Sequence, residues 1–503
     1  MATEVELKLA VAGADHRRLM AHPLLRRAEK TSRELVNIYY DTPEHELRRH
    51  GIALRLRRQG REWLQTVKCV GETAAGLSSR PEWETPYAGH FDFAAVDVAP
   101  VRRRLERPRC LRRLVPVFET RFRRVAWRVE PAPNRRVMVM LDRGWIAADG
   151  RREEISEVEI ELDGDAVSPI FDVAEALAET IPLLPAVHSK ADRGYRLAMA
   201  TMPDSPVKAV EIPVSAGEAA RTAFRRIALG CLDHLQANHA GALASPDPEY
   251  IHQMRVAARR LRAALRIFRP VLPPALESEL VPPLRALVGS MGAARDYDVL
   301  LHEVLDPVVV GLPNEPRIAA LAGLITEHAH KARKAAVDQL AAPGYGRWLL
   351  HALRQIHLLD DTAADEPVGE LAGKRLKRLS RDVRRRAVEA GTLAPAALHA
   401  LRIAVKRLRY GIEFFAPIIP GGGIPRLART LARTQDLLGA FNDLANAGAL
   451  LMECADDDSQ LREAVSLIGG WHGAHHATLT ARIPHQVRAM AAVRIGDGET
   501  RWT

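Results

Sequence analysis

Short stretches in which polar and apolar residues alternate one by one occur throughout the first two hundred residues. The clearest of them are residues 4–9, 53–57, 137–141 and 157–162. Alternation with a period of two is the pattern of β-strands, because successive side chains of a strand point to opposite faces of the sheet. We therefore predict a β-rich N-terminal region.

Beyond a proline-rich passage at residues 202–213, the chain changes to long Ala-, Leu- and Arg-rich segments with helical spacing. The segment that starts at His252 aligns without a gap with the segment that starts at His399, 147 residues later, and Asp296 and Asp443 keep the same offset. This repeat predicts two copies of one helical unit, each a bundle of about four helices. The predicted domains are a β domain at 1–203, a linker at 204–214 and a helical domain at 215–490, with repeats at about 215–345 and 346–490.

The charges of the predicted strands are gathered on one face of each strand. Glu157, Glu159 and Glu161 share a face, as do Arg55 and Arg57. Two glutamates about 7 Å apart on such a face repel by roughly 2 kcal/mol at an effective dielectric near 20. One strand of this kind is typical of a solvated sheet face, but several favour an enclosed site where acidic faces share divalent cations and basic faces share an anion. A closed antiparallel barrel with the charged faces inward would bring both sets into one lumen.

The opening Glu4-x-Glu6-x-Lys8 resembles the signature of the CYTH domain of triphosphate tunnel metalloenzymes. Further motifs of that family follow in order over residues 1–200: Tyr40-Asp41-Thr42, Arg55-x-Arg57, Thr66-x-Lys68, Arg80-x-Glu82-x-Glu84, Arg121-x-Arg123, Asp142, Glu157-x-Glu159-x-Glu161 and Ser189-Lys190-x-x-Arg193-Gly194-Tyr195. The resemblance implies an α+β region with an eight-stranded antiparallel β tunnel and flanking helices. It also implies a dependence on Mg²⁺ or Mn²⁺ and hydrolysis of a triphosphate.

The same resemblance implies roles for individual residues. The metal-binding carboxylates are predicted to be Glu4, Glu6, Asp142, Glu157, Glu159 and Glu161. The cations that hold the phosphate chain are predicted to be Lys8, Arg55, Arg57, Lys68, Arg121, Arg123 and Lys190. The predicted catalytic group consists of Glu4, Glu6, Lys8, Lys68, Glu157 and Glu159. Asp41 and Glu84 fit a supporting or a purely structural role, and Arg193 is expected to anchor a helix or strand end.

Helical spacing in the second half produces a basic stripe in each repeat. The first stripe contains His252, Arg255, Arg259, Arg262 and Arg266, and the second contains His399, Arg402, Lys406 and Arg409. No Asp or Glu occurs from residue 251 through 276, so the first stripe has no acidic partners one helical turn away. A solvated helix face is the alternative, but the duplication favours two half-sites that attract a linear polyanion.

These helices resemble the CHAD domain, an all-helical module, over about residues 215–490. The resemblance rests on His252-x-x-Arg255-x-x-x-Arg259-Arg260-x-Arg262, on its copy from His399 to Tyr410, and on the acidic positions that follow each. It implies binding of inorganic polyphosphate. The predicted polyphosphate-binding residues are His252, Arg255, Arg259, Arg260, Arg262, Arg266, His399, Arg402, Lys406, Arg407 and Arg409, although Arg260 and Arg407 lie off the stripes.

Composition and net charge indicate the type of partner and the cellular compartment. The 503 residues carry a net charge of +10, which suits a polyanionic partner. The four cysteines are far apart, the N-terminus lacks the pattern of a signal peptide, and no apolar run is long enough to cross a membrane, so we predict a cytoplasmic protein. Aromatic residues make up only 5%, which disfavours stacking on single-stranded nucleic acid.

The predicted activity is that of an inorganic triphosphatase, a phosphoric anhydride hydrolase that releases pyrophosphate and phosphate. Three alternatives stay open at this point. The tunnel could act on thiamine triphosphate or a nucleotide, including adenylate cyclisation. The chain could be a non-catalytic polyphosphate scaffold, or its basic stripes could bind nucleic acid. The oligomeric state is not predicted.

Overall fold

A computed structural model describes residues 2–69, 71–74, 76–133, 135–163, 166–200, 205–360, 366–419 and 424–495. The chain divides into two compact units. The first consists of Met1–Ser205 and Ala342–Leu358, and the second of Pro206–Ala341 and Leu359–Thr503. The predicted boundary between residues 203 and 204 lies outside the described residues. No helix within the described ranges is both long and apolar enough to span a membrane.

The first unit contains one antiparallel sheet and short helices. Its strands are β1 (Ala2–Val11), β2 (Glu29–Asp41), β3 (Ile52–Gln59), β4 (Glu62–Cys69), β5 (Glu72–Ala74), β6 (Leu77–Pro86), β7 (Val115–Ala132), β8 (Arg135–Ala148), β9 (Arg151–Asp163) and β10 (Leu183–Pro185). Its helices before residue 205 are α1 (His16–Met20), α2 (Pro23–Arg26), α3 (Glu46–Arg49), α4 (Ala99–Leu105), α5 (Pro108–Leu111), α6 (Ser168–Ala178) and α7 (Lys190–Ala198).

Eight of these strands close into a barrel, which confirms the predicted tunnel. Their order is β1-β9-β8-β7-β2-β3-β4-β6, and β6 pairs with β1 to complete the ring. The short strands β10 and β5 extend the sheet beside β1 and β6. Strand β1 lies between β6 and β9, and its glutamates Glu4 and Glu6 line the interior of the barrel.

Both faces of the barrel wall are buried, for different reasons. On β9, Val158 and Ile160 lie in the apolar layer outside the barrel, and Glu157 and Glu159 lie inside it with only 2% and 6% of their surface exposed. Helices such as α6, which contacts β8 and β9, cover the outer apolar layer. The alternation that predicts a strand therefore separates an apolar outer core from a charged interior.

Asp41, at the end of β2, is a structural residue. Its carboxylate accepts hydrogen bonds from the backbone N–H groups of Thr42, Leu47 and Arg48 at 2.7, 2.8 and 2.9 Å, and from the hydroxyl of Tyr195 at 2.9 Å. The side chain is fully buried. These bonds fix the first turn of α3 and tie α7 to the barrel.

We expect Asp41→Ala to lower the free energy of unfolding by roughly 3 kcal/mol or more, because several buried donors lose their acceptor at once. Chemical denaturation of the full chain measures this loss. Asp41→Asn retains one acceptor oxygen and should be less damaging. Equal stability of Asp41→Ala and the wild type would contradict this role.

The second unit is entirely helical over its described residues, as predicted. Its helices are α8 (Ala220–Ala237), α9 (His239–Ala244), α10 (Pro248–Phe268), α11 (Pro274–Val299), α12 (Asp306–Gly311), α13 (Pro316–Ala341), α15 (Val368–Glu389), α16 (Pro395–Phe415), α17 (Ile424–Ala455) and α18 (Ser459–Ala491), and a π-helical turn at Leu300–Leu305 joins α11 to α12. Between α13 and α15 the chain forms α14 (Pro343–His357), which belongs to the first unit.

The internal repeat is visible in the helices. Helices α10 and α16 each have 21 residues and begin 147 residues apart, at Pro248 and Pro395. Their last residues, Phe268 and Phe415, are fully buried and their ring centroids lie 5.5 Å apart. The two copies therefore meet through equivalent helices, whose C-terminal ends share one core.

Candidate active site and basic groove

The inside of the barrel holds a cavity of about 490 Å³ lined mainly by charged side chains. Its carboxylates are Glu4, Glu6, Glu82, Glu84, Glu159 and Glu161. Its cations are Lys8, Arg55, Arg57, Lys68, Arg80, Arg124 and Lys190. The structure thus brings together most of the charged residues that the sequence predicted for one lumen.

One part of the lumen is an ion-pair network around β1. Glu4 binds Lys68 at 2.7 Å and Arg80 at 3.2 Å, and Arg80 reaches on to Glu6 at 2.6 Å. Glu6 also contacts Lys8. Burial alone would lower the pKa of Arg80, but Glu6 and Glu4 raise it above its usual value. These cations are held in position by carboxylates while their charges face the cavity.

The cations of β3 are held in the same way. Arg55 lies 3.4 Å from both Glu82 and the hydroxyl of Tyr39. Arg57 lies 3.4 Å from Glu84, and burial together with the charge of Arg55 lowers the pKa of Arg57 to about 10. Neighbouring guanidinium groups of like charge indicate a place where an anion would be stabilised.

A second cluster forms where α7 begins. The ammonium of Lys190 lies 2.7 Å from Asp142 and 3.0 Å from Glu159, and it also contacts Glu157. Arg124 binds Asp142 at 2.6 Å and contacts Glu159 as well. Burial would lower the pKa of Lys190, but these carboxylates raise it above its usual range. Arg193 binds Glu157 at 3.1 Å and Glu153 at 2.6 Å, in an anchoring position.

Carboxylate oxygens of Asp142, Glu157 and Glu159 lie within 4.8 Å of one another, close enough to hold a metal ion. Lys190, Arg124 and Arg193 together supply three positive charges to this trio. The surplus of negative charge lies nearby at Glu161, which faces Glu6 across the β1–β9 pair. Burial and the charges of Glu4 and Glu6 raise the pKa of Glu161 to about 7. The lumen thus disfavours the charged form of Glu161, and a bound cation would stabilise that form.

This surplus predicts a pH-dependent stability. The pKa of Glu161 in the folded protein, about 7, exceeds that of an unfolded glutamate, about 4.3. The stability that protonated Glu161 contributes is therefore lost progressively as pH rises from about 4.3 to 7. In metal-free protein, we expect Glu161→Gln to raise the melting temperature by a few degrees at pH 8 and by much less at pH 5.

Thermal unfolding in the presence of a chelator measures this difference, with Glu62→Gln at the exposed start of β4 as the matched control. Added Mg²⁺ should stabilise the wild type more than Glu161→Gln. The same change in melting temperature at both pH values would contradict the surplus charge.

Two residues predicted to hold the substrate do not line the cavity. Arg121 and Arg123 are exposed on the outside of the barrel, where Arg121 lies over the ring of Trp145 and Arg123 binds Ser32 at 3.0 Å. The lumen receives Arg124 instead. The reason is the alternation of side chains along β7. Its odd-numbered positions point out of the barrel, and Val125, two residues after Arg123, belongs to the buried apolar layer there.

The second unit brings the two basic stripes together. Lys406 on α16 is half-buried, and its pKa is lowered to about 8 by burial and by the charges of Arg402 on its own helix and Arg259 on α10. The pKa of Arg255 falls to about 10 through burial and the charge of Arg259, while Asp296 and Asp443 oppose that change. Cations from both copies therefore repel each other across what we call the basic groove: His252, Arg255, Arg259, His399, Arg402 and Lys406.

Several nitrogen atoms of the basic groove are buried without a hydrogen-bond partner among the described residues. They are Nδ1 of His252, Nε and Nη1 of Arg255, Nε of Arg259 and Nε of Arg402. Arg402 keeps one weak contact, 3.8 Å to Asp443. Buried donors without acceptors are costly, so this arrangement suits an anionic ligand that supplies the missing acceptors.

Arg260, which lies off the stripe in the sequence, also lies outside the basic groove in the structure. It is 2% exposed, lies 2.8 Å from Glu413 and sits 5.8 Å from the centre of the Phe414 ring. Its guanidinium therefore fills the interface between α10 and α16. Arg407 is also displaced from the groove, and its electrostatic neighbours are Arg266 and residues of α15.

Arg262, Arg266 and Arg409 continue the stripes toward the C-terminal ends of α10 and α16. Burial and the charges of Arg285 and Arg266 lower the pKa of Arg262. Arg266 and Arg409 are exposed. Arg262 is thus still half-buried, and Arg266 and Arg409 form the solvent-exposed ends of the two stripes.

Two family models account for most of the chain. The model of the CYTH domain matches residues 2–195, and the model of the CHAD domain matches residues 226–452. A crystal structure of the CHAD domain from the plant Ricinus communis is 33% identical, with a TM-score of 0.50, and the match covers 58% of this chain and 98% of that one. The chain joins a CYTH domain to a CHAD domain.

A curated relative from Haemophilus influenzae, named inorganic triphosphatase, is 32% identical over 200 residues. The match covers 39% of this chain and 55% of that protein, so this chain spans about half the length of the relative. A structure from Hippeastrum, described as an adenylyl cyclase with a dominant triphosphatase activity, is 16% identical, with a TM-score of 0.31 over 40% of this chain and 97% of that one. That second likeness is too distant to bear on function.

The CYTH cavity also contains charged residues that the sequence did not assign to the site. Arg80 and Glu82 occur in a recognised motif, and their alternation with Ser79 and Pro81 places them on one face of β6. The sequence pattern that places Arg124 in the lumen is weaker. Val125, Trp127 and Val129 form an apolar row that must face the outer core, which leaves the even positions of β7 for the lumen.

Proposed function

We propose that the CYTH domain hydrolyses inorganic triphosphate to pyrophosphate and phosphate with a divalent cation, Mg²⁺ or Mn²⁺. The observation that carries this proposal is the lumen itself, where seven cations and six carboxylates line one cavity of about 490 Å³. The named activity of the Haemophilus relative supports the same substrate. A triphosphate is a short chain of anions, and such a mixed lining can bind both the chain and its metal ion.

All the cations that line the lumen would hold the phosphate chain. They are Lys8, Arg55, Arg57, Lys68, Arg80, Arg124 and Lys190. Each is oriented by at least one carboxylate, so the donors are positioned before the substrate arrives. Such preorganised charge stabilises phosphoryl transfer, in which the protein mainly positions groups and neutralises charge.

The carboxylates that would hold a metal ion are Asp142, Glu157 and Glu159, whose oxygens lie within 4.8 Å of one another, together with Glu4, Glu6 and Glu161 on the neighbouring wall of the lumen. Lys190 and Arg124 contact the first three, so a cation there would replace part of their charge. When bound, a divalent cation neutralises phosphate oxygens and makes a coordinated water more acidic. In the overall reaction, water adds to a terminal phosphorus, one P–O–P bond breaks, and a proton is released to solvent.

For the CHAD domain we propose binding of inorganic polyphosphate in the basic groove. The partnerless buried nitrogens of His252, Arg255, Arg259 and Arg402 support this ligand, because a chain of phosphates offers one acceptor after another. We also propose a cytoplasmic setting, supported by four free thiols, of which those of Cys110, Cys231 and Cys454 are buried.

The test is phosphate release by the full chain from inorganic triphosphate, thiamine triphosphate, ATP and long-chain polyphosphate, each with Mg²⁺, with Mn²⁺ and with chelator. We expect metal-dependent turnover that is fastest with inorganic triphosphate. Faster turnover of an organic triphosphate would reassign the substrate. If none of these compounds is hydrolysed, the protein binds phosphate chains but is not an enzyme that cleaves them.

A further inference from the structure

Helix α14 has an unusual place in the chain. It connects α13, the last helix of the first repeat, to α15, the first helix of the second, and it lies inside the span matched by the CHAD model. Its residues nevertheless belong to the compact unit that contains the barrel. The sequence predicted these residues to be part of the helical domain, and the structure packs them on β10 and α6.

The contact with β10 is made backbone to backbone. Gly346 lies so close to this strand that a Cβ atom added to it would stand 2.2 Å from the carbonyl oxygen of Leu183. That distance is far inside van der Waals contact, and the obstacle is main chain that cannot rotate away. By contrast, a Cβ atom on Gly344, two residues earlier in the same turn, would meet nothing within 4 Å.

The contact with α6 is made by charged and aromatic groups. Arg354 binds Asp172 at 2.6 Å and Glu175 at 2.8 Å. One turn earlier, His351 lies 3.2 Å from Glu175, and one turn later, His357 stacks on Phe171 with ring centroids 5.7 Å apart. These side chains recur at the spacing of one helix face, so α14 is held in a defined rotation against α6.

Strand β10 leads directly to the lumen. It pairs with β1 from Leu9 to Val11, and the N–H of Ala186 just after it donates to the carbonyl oxygen of Lys8 at 2.8 Å. Lys190, which holds the acidic trio, follows five residues after the end of β10. A displacement of β10 would therefore also shift β1 and the start of α7, on two sides of the cavity.

We propose that α14 is a positioning element of the CYTH domain, supplied by the segment between the CHAD repeats. Docked on β10 and α6, it holds β1 and Lys190 in the arrangement that the lumen requires. The partner of this face of the CYTH domain is thus a helix of the same chain. The activity readout of this inference rests on the proposed hydrolysis, whereas its structural readout does not.

The experiment compares Gly346→Ala with Gly344→Ala in the full chain. Both changes replace a glycine in the first turn of α14, so effects on helix propensity are matched. Hydrogen exchange of the β10 and β1 amides is measured together with kcat and KM for inorganic triphosphate. We expect Gly346→Ala to speed exchange in β10 and in residues 9–11 by about tenfold and to lower kcat by about tenfold, since small misplacements of catalytic groups have large effects. Gly344→Ala should match the wild type.

A second set of variants guards against poor folding of Gly346→Ala. Arg354→Glu places three carboxylates together and should loosen α6 and β10, and adding Asp172→Lys and Glu175→Lys should restore slow exchange by reversing every charge. Equal exchange in Gly346→Ala and Gly344→Ala, or no rescue in the triple variant, would overturn the proposal. A wild type that does not hydrolyse triphosphate would refute the proposed function only, because the exchange comparison would still decide the role of α14.

Discussion

Glu6→Gln is expected to reduce metal-dependent release of phosphate from inorganic triphosphate by about a thousandfold. Glu6 is 2% exposed, binds Arg80 at 2.6 Å and faces Glu161 across the β1–β9 pair. The amide keeps the size of the side chain but removes a negative charge from the side of the lumen that fits a cation. Steady-state kinetics at several Mg²⁺ concentrations measure the loss.

Glu62→Gln is the control for this experiment, because Glu62 is exposed on β4 outside the cavity. The control should retain wild-type kinetics, and circular dichroism should show intact strands in both variants. Turnover of Glu6→Gln within twofold of the wild type would remove Glu6 from the catalytic group.

The second large effect is expected in the CHAD domain. Replacing Arg255 and Arg402 together by Ala should weaken binding of long-chain polyphosphate by about a hundredfold or more, because each charge-assisted hydrogen bond contributes roughly 1.5–3 kcal/mol. Both residues have buried nitrogens for which the described part of the chain offers no hydrogen-bond partner, and they come from different repeats. Isothermal titration of the full chain with polyphosphate of defined length measures the change.

The matched control is Lys331→Ala with Lys334→Ala on α13. It removes the same net charge, but these lysines are exposed and already lie 2.7 Å from Glu327 and 2.6 Å from Asp338. We expect affinity close to that of the wild type. If both double variants weaken binding equally, the attraction comes from net charge alone and the basic groove is not the binding site.

The sequence predicts the CYTH barrel well because its chemistry is periodic. Alternating glutamates on β1 and β9 would repel each other in any arrangement without counter-charges, and the arginine and lysine rows of other strands supply those counter-charges if all of the charged faces point inward. The repeat in the helical half is equally direct, since α10 and α16 begin 147 residues apart. The family models agree with both assignments.

The sequence-based assignments differ from the structure at two places, for different reasons. The run from Arg121 to Arg124 offers cations on both faces of β7, and only the apolar row that continues from Val125 decides which face is inside. Arg260 stands next to the stripe of α10, but its burial follows from Glu413, which α16 contributes from the other repeat. The orientation of Arg124 is encoded within β7 itself, whereas the burial of Arg260 depends on a second helix.

The sequence alone could not predict the placement of α14, because this placement, like that of Arg260, depends on residues of other elements. Its apolar face is as typical of a helical bundle as of a helix on a sheet, because periodicity indicates that a face is buried without naming what covers it. The close approach at Gly346 is informative only once Leu183 is known to lie opposite. A glycine in a helix has no such meaning by itself.

The ion pairs inside the tunnel also bear on the exchange of ligands. Because Lys68, Arg80 and Arg55 already have carboxylate partners, an incoming phosphate chain competes with internal anions rather than entering an unpaired cation site. A linear oligomer would displace several of these partners together, whereas orthophosphate would displace only one or two. Under the proposed function we therefore expect products to leave easily as the glutamates take their places again, and affinity to rise steeply with the number of linked phosphates.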